Sequence, residues 1–159
     1  MASRKIEDLT PQMQLIYAKF KEKMDAAKIA FIVTCTARTV KEQQALYAQG
    51  RQPVREVNIL RRMANLPSIT EKENKNKVTW TLASRHLVDL DDGYKENDKS
   101  RAFDIAITKN GKVIWDVKVN VNQNEQPDYL EAGLLGESVG LKWGGRFKNP
   151  DYPHFEFLA

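Results

Sequence analysis

The sequence predicts an α+β fold, a single domain in which N-terminal helices pack on a mostly antiparallel sheet. Three observations predict it. Apolar residues recur at three- and four-residue spacing through the first third of the chain, and short runs of β-branched and aromatic residues fill the second half. Two of those runs flank Asn110-Gly111, a strong hairpin signal. No internal repeat or composition break divides residues 1–159.

Residues 10–27 read as an amphipathic helix, with Thr10 as N-cap and Pro11 in the first turn. Met13, Ile16, Phe20, Met24 and Ala27 form its apolar stripe. A buried strand is predicted over 29–35. Thr39-Val40-Lys41-Glu42 then forms a capping-box pattern opening a helix that stops near Gly50. A short helix follows over 54–65, ending before Pro67, and the polar stretch 68–77 reads as a surface loop. Strands are predicted at 78–84, 102–108, 112–117, 141–143 and 154–158, with one helix at 127–139.

Composition narrows the function classes. Apolar residues make up 42% and charged residues 29%, which suits a packed globular chain and not a disordered one. No apolar run approaches the ~20 residues that span a bilayer. The N-terminal MASRKIEDLTPQMQ lacks an apolar h-region, so cytoplasmic synthesis and folding are expected. The single cysteine, Cys35, lies in an apolar run and reads as a small core residue. A net charge of +4 and a pI near 9.1 favour polyanionic partners such as nucleic acid, anionic lipid or a bacterial envelope.

The chemistry gathers around the only two histidines, His86 and His154. In the 102–108 strand Phe103, Ile105 and Ile107 face one way and Ala102, Asp104 and Ala106 the other. Asp104 therefore stands between small residues, with room above it for an ion. Pro153 stiffens the turn that joins Asp151 to His154. Two imidazoles and a carboxylate supply the three protein ligands of a catalytic zinc, leaving one position open. Asp151, a carboxylate off the metal, suits the proton-transfer role. The His-x-x-x-His helix signature of many zinc peptidases is absent.

These residues carry a resemblance. Ser84-x-His86, Ala102-x-Asp104, Trp143-Gly144-Gly145-x-Phe147 and Asp151-x-x-His154-Phe155 resemble the zinc D-Ala-D-Ala carboxypeptidase/L-alanyl-D-glutamate endopeptidase family. Within that family, bacteriophage endolysins are most similar. Arg38-Thr39-x-x-Glu42-Gln43-x-x-Leu46-Tyr47-x-x-Gly50-Arg51 also resembles the group's N-terminal motif. The resemblance implies one Zn2+ on His86, Asp104 and His154, with Asp151 as general base and acid. It further implies that Arg38 meets the substrate carbonyl or its developing oxyanion, that Gln43 assists, that Ser84 orients a ligand and that Glu156 backs a histidine.

The implied activity is hydrolysis of the L-alanyl-D-glutamate bond in the peptidoglycan stem peptide. It would be carried out by a monomeric enzyme without a wall-binding module. Such an enzyme would wait in the host cytoplasm and reach the periplasmic wall once another factor opened the membrane. Its positive charge would aid approach to the anionic envelope. A D-Ala-D-Ala carboxypeptidase would use the same metal site.

One departure stands out. In the family the aspartate follows the first histidine more closely; here an acidic stretch, LVDLDDGYKENDKS, intervenes. Asp89 or Asp91 is therefore an alternative ligand. Asp89, Asp91, Asp92, Glu96, Asn97 and Asp98 together offer hard oxygens for a second cation, although the EF-hand spacing fails. Two other classes stay open. A nucleic-acid-binding module is permitted by the pI, but Trp80, Trp115, Trp143, Phe155 and Phe157 sit in strand patterns that read as core. A metal-stabilised structural protein would need a fourth ligand, and Cys35 is far away in sequence.

Overall fold

The computed structural model describes residues 2–90, 93–95 and 98–158. Helix α1 (Pro11–Ala26) begins where expected: the Thr10 hydroxyl accepts the Met13 N–H at 3.2 Å, and Pro11 fills the first turn. Met13, Phe20 and Met24 are fully buried from its apolar stripe, while Ile16 is partly buried against the same cluster. Helix α2 (Val40–Ala48) is capped by Thr39, whose hydroxyl accepts the Glu42 N–H. It packs on α3 (Val54–Met63).

The main sheet is antiparallel throughout. Strands β1 (Phe31–Cys35), β4 (Ala102–Lys109), β7 (His154–Glu156) and β6 (Lys142–Trp143) lie in the order β1-β4-β7-β6. Strand β5 (Lys112–Ile114) pairs with β4 through the predicted hairpin. Asn110 and Gly111 hold φ of 53° and 75°, the positive pair that a type I′ turn demands. A separate parallel pair joins β2 (Arg38–Thr39) to β3 (Leu87–Val88).

The core lies between the sheet, α1 and α4 (Asp128–Ser138). Phe103, Ile105 and Ile107 point into it, as their alternation predicts. The Phe20, Phe103 and Phe155 rings meet there at centroid distances of 4.9–5.5 Å. Two glycines let α4 approach. A Cβ on Gly133 would lie 2.2 Å from the Trp143 ring, and one on Gly136 2.5 Å from the Phe155 ring.

The pairings around β4 position everything that follows. β1 covers Asp104 to Ile107 on one edge. β7, opposite 102–104, and β5, opposite 107–109, must therefore share the other edge end to end. Asp104 is thus on a central strand, with Cys35 on one side and His154 on the other.

Two expectations are overturned. Residues 78–84 are not a strand. The segment is an irregular strap, with Val78, Trp80 and Leu82 all more than half exposed. The side chains of Gln43 and Arg51, not a strand ladder, hold it, so alternation here found no partner edge. Second, Trp80 and Trp115 are not core residues: they are 57% and 58% exposed, whereas Trp143 and Phe155 are buried as expected. β5 also stops at Ile114, short of the predicted 117. No helix among the described residues is long and apolar enough to cross a membrane.

Candidate active site

A cleft of about 620 Å³ opens on the Asp104 face of the sheet, of the size that holds small-molecule and peptide ligands. His86 enters it from the turn before β3, where Arg38 N–H donates to the His86 carbonyl at 2.8 Å. The Ser84 hydroxyl accepts the His86 backbone N–H at 3.2 Å, so Ser84 shapes the turn that carries the imidazole. His154 enters from the head of β7, directly across from Asp104.

Three donor atoms converge. His86 Nε2 is 3.1 Å from Asp104 Oδ1, His154 Nδ1 is 3.0 Å from the same oxygen, and the two nitrogens are 3.2 Å apart. Ligands at zinc distances of about 2.0–2.1 Å in a tetrahedron would stand about 3.3–3.4 Å apart. The triangle is within a few tenths of an ångström of that.

The outer nitrogens settle which lone pairs face inward. His86 Nδ1 lies 2.7 Å from the Thr36 carbonyl, which can only accept, so Nδ1 carries the hydrogen. His154 Nε2 faces the Glu156 carboxylate at 3.4 Å in the same way. With hydrogens on those outer nitrogens, both rings can present a bare nitrogen to a metal ion beside Asp104, the orientation that ligating histidines receive from their outer partners. The donor set fits a divalent metal, and Glu156 stands behind a histidine as the motif implied.

Electrostatics agree with a site built to be neutralised by a cation. Burial opposes charge on both imidazoles, but the Asp104 carboxylate outweighs it and raises both above the ordinary histidine range. Without a metal, protons on the facing nitrogens are stabilised by the one carboxylate oxygen that both nitrogens meet. Burial likewise opposes the Asp104 charge. The two histidines overcome it and hold the carboxyl well below the usual carboxylate range.

In the metal-free protein this linkage has a sign. The histidine contribution to stability is fully present below the unfolded value of 6.5 and fades as pH rises. The Asp104 contribution is present above 3.8 and is lost as pH falls toward its lowered folded value. Thermal melts of metal-free protein should thus give a midpoint that declines from about pH 6.5 upward, a decline that saturating zinc should suppress. A midpoint flat in pH without metal would refute the raised proton affinity of the histidines.

Asp151 lines the same cleft, with a carboxylate oxygen within 4.8 Å of the ligand atoms of Asp104 and His154. Its surface is exposed at the rim, yet protein atoms crowd the carboxylate. That desolvation and the Asp104 charge push its carboxyl above the usual range, against the pull of His154, His86 and Arg38. Gly144 makes the turn possible. Its carbonyl accepts the Asp151 N–H at 2.8 Å, and a Cβ there would lie 2.4 Å from the Asp151 carbonyl oxygen and 2.9 Å from His154 Cβ. Gly144→Ala should therefore lower stability by about 1–3 kcal/mol through overpacking. It should also weaken metal binding, with titration calorimetry and thermal melts as the readouts. An unshifted variant would show that the turn has slack.

Arg38 lines the cleft from β2, with Nη1 donating to Gln43 Oε1 at 2.8 Å and Nη2 to Cys35 Sγ at 3.5 Å. Its Nε is buried without a partner in the described structure. Gln43 is placed differently from expectation. It is 1% exposed, and its amide donates to the Thr81 carbonyl at 2.6 Å and to the Thr79 hydroxyl. With every polar atom engaged, Gln43 braces Arg38 and the 78–84 strap and does not face the cleft.

Sequence reasoning missed Cys35 here. Its Sγ lies 3.6 Å from His86 Nδ1 and within 4.8 Å of a carboxylate oxygen of Asp104, so a thiol remote in sequence backs the site. It also left Asp89 open as a ligand; Asp104 is the carboxylate that meets both histidines. Of the proposed second cation site, Asp91, Asp92, Glu96 and Asn97 lie outside the described residues.

The chain is similar to known proteins in sequence and in fold. Residues 98–157 match the family model described as D-alanyl-D-alanine carboxypeptidase. The chain is 31% identical over 147 residues to the peptidoglycan L-alanyl-D-glutamate endopeptidase CwlK of Bacillus subtilis (strain 168), covering 87% of this chain and 71% of that protein. Among solved structures, the L-Ala D-Glu endopeptidase ChiX of Serratia marcescens is similar at a TM-score of 0.56 and 15% identity, over 99% of this chain and 89% of that one. At that identity the likeness is one of fold.

Proposed function

Because the chain belongs to the M15 peptidase family, that of the D-alanyl-D-alanine carboxypeptidases, we propose that it is a zinc-dependent endopeptidase cleaving the L-alanyl-D-glutamate bond of the peptidoglycan stem peptide. His86, Asp104 and His154 are the proposed zinc ligands. The observation that carries this reading is their convergence, with Nε2, Oδ1 and Nδ1 mutually 3.0–3.2 Å apart and both outer nitrogens engaged. The activity of CwlK supports the choice of bond.

When bound, the ion supplies Lewis-acid polarisation of the scissile carbonyl and makes hydroxide available near neutral pH. The chain's own groups do the rest. Asp151 stands beside the ligands with a raised proton affinity, so it accepts a proton from the attacking water and returns it to the leaving amide nitrogen. Arg38, braced by Gln43, keeps its cationic guanidinium toward the cleft, where it pairs with the carbonyl oxygen as negative charge develops. Ser84 and Thr36 keep the His86 ring in place. The motif pattern of Arg38 to Arg51 and Trp143 to Phe155 supports a bacteriophage-type lytic role, acting on the wall after the host membrane opens.

The test is digestion of purified Gram-negative peptidoglycan with and without a chelator, followed by mass spectrometry of the fragments. Chelator-sensitive release of peptides with new N-terminal D-glutamate is expected. The family description favours one second reading, in which terminal D-alanine is released instead. Digestion unaffected by thorough metal removal would overturn both.

A further inference from the structure

We propose that Trp80 and Trp115 form a saccharide-stacking subsite beside the metal centre, which takes the N-acetylated amino-sugar ring that bears the stem peptide. This inference rests on the peptidase reading above and adds a substrate feature to it.

Both indoles line the same cleft as His86, Asp104 and His154, and each is more than half exposed. They arrive from different parts of the fold, yet each is held in place. Arg51 donates to the Thr79 carbonyl at 3.1 Å and to the Tyr47 carbonyl at 2.6 Å, and Gln43 ties Thr79 and Thr81 to α2. The residue between those anchors is Trp80, whose ring also has Lys77 Nζ at 5.3 Å from its centroid and Arg51 Cζ at 5.8 Å. A platform fixed in this way loses little entropy when a ligand stacks on it.

Trp115 is positioned by strand register. Ile114, the last residue of β5, lies opposite Ile107, and the same register carried one residue further sets Trp115 beside Ala106, on the face of β4 that holds Asp104. Two residues along a strand span about 7 Å. β5 ends on the edge where β7 begins, which delivers Trp115 to the gap before Pro153 and His154.

The substrate's chemistry selects the occupant. Between the scissile L-alanyl carbonyl and the sugar ring lie one alanine residue and a lactyl group, about 7 Å at 3.3–3.6 Å per extended unit. The step from Asp104 to Ala106 along β4 has the same length. Stem peptides of alanine, glutamate and a diamino acid carry methyl groups and charges, and none has a flat apolar surface suited to an indole. The pyranose ring does, through a face of C–H groups that meets the negative face of an aromatic ring. Lys148, a cation of the same cleft, remains for the peptide carboxylates.

The experiment uses the zinc-loaded full chain and peptide-free glycan strands, which cannot be cleaved, titrated by intrinsic fluorescence and calorimetry. In parallel, hydrolysis of a disaccharide-tetrapeptide is compared with that of the same peptide lacking sugar. Wild type should bind the stripped glycan. Trp80→Ala and Trp115→Ala should each weaken that binding about tenfold, the order that one ring contact supplies, and Trp→Phe should restore most of it. In hydrolysis the alanine variants should lose kcat/KM on the sugar-bearing substrate and keep it on the bare peptide. Absence of glycan binding, binding indifferent to both variants, or equal losses on both substrates would overturn the subsite. Failure of wild type to hydrolyse either peptide would instead count against the peptidase reading, since glycan binding is read without turnover.

Discussion

Asp151→Ala is expected to retain one metal per chain while lowering kcat by roughly 10²–10⁴-fold, the range that a positioned proton carrier contributes. The expectation follows from place and chemistry together. The carboxylate is close enough to the Asp104–His154 cluster to reach a water held there, and the alanine variant keeps the Asp151 carbonyl that accepts the His154 N–H at 3.2 Å, so the donor triangle stays as the β4–β7 register sets it. KM should change little, because the group acts on the proton in flight and not on the bound peptide. Metal content by mass spectrometry and steady-state kinetics on purified stem peptide decide the matter. Near-full activity would remove Asp151 from the proton path. Loss of metal together with activity would make it a fourth ligand instead, a role its distance to Asp104 and His154 allows.

His154→Ala should do the opposite, losing metal first and activity as a consequence. Its Nδ1 is one corner of the triangle, and removing it leaves only the Asp104 and His86 corners of that triangle. Wild-type protein with zinc at a thousand times its dissociation constant gains about 4 kcal/mol of stability by mass action, and the variant should gain little of it. Zinc-dependent thermal shift is the direct readout, with hydrolysis falling to background. A wild-type-sized zinc shift in the variant would show that the metal is held elsewhere. The two variants together separate holding the ion from moving the proton.

Much of this was legible in the sequence because it depends on near neighbours. The Thr10 cap and the stripe of Met13, Phe20 and Met24 follow from a helical period of 3.6. The Asn110-Gly111 turn follows from the need for two positive φ angles. Alternation along 102–108 separated the buried Phe103 face from the Asp104 face. Pairing His86 with Asp104 and His154 needed more, since no local rule spans the 18 and 68 positions between them; there the motif resemblance pointed to the set.

Only the tertiary structure decided the rest. Residues 78–84 carry a strand-like pattern, but pattern alone cannot supply a free sheet edge. The side chains of Gln43 and Arg51 captured the segment as a strap and left Trp80 in solvent. Cys35 came to lie behind His86, and Gln43 came to brace Arg38, because β1 and the start of α2 flank β3 and β4 in space. Periodicity and turn sterics act over a few residues and are written in the chain itself. Which edges meet, which tautomer a carbonyl fixes and which indole stays exposed depend on packing between segments distant in sequence, where each contact exists only once the whole sheet has closed.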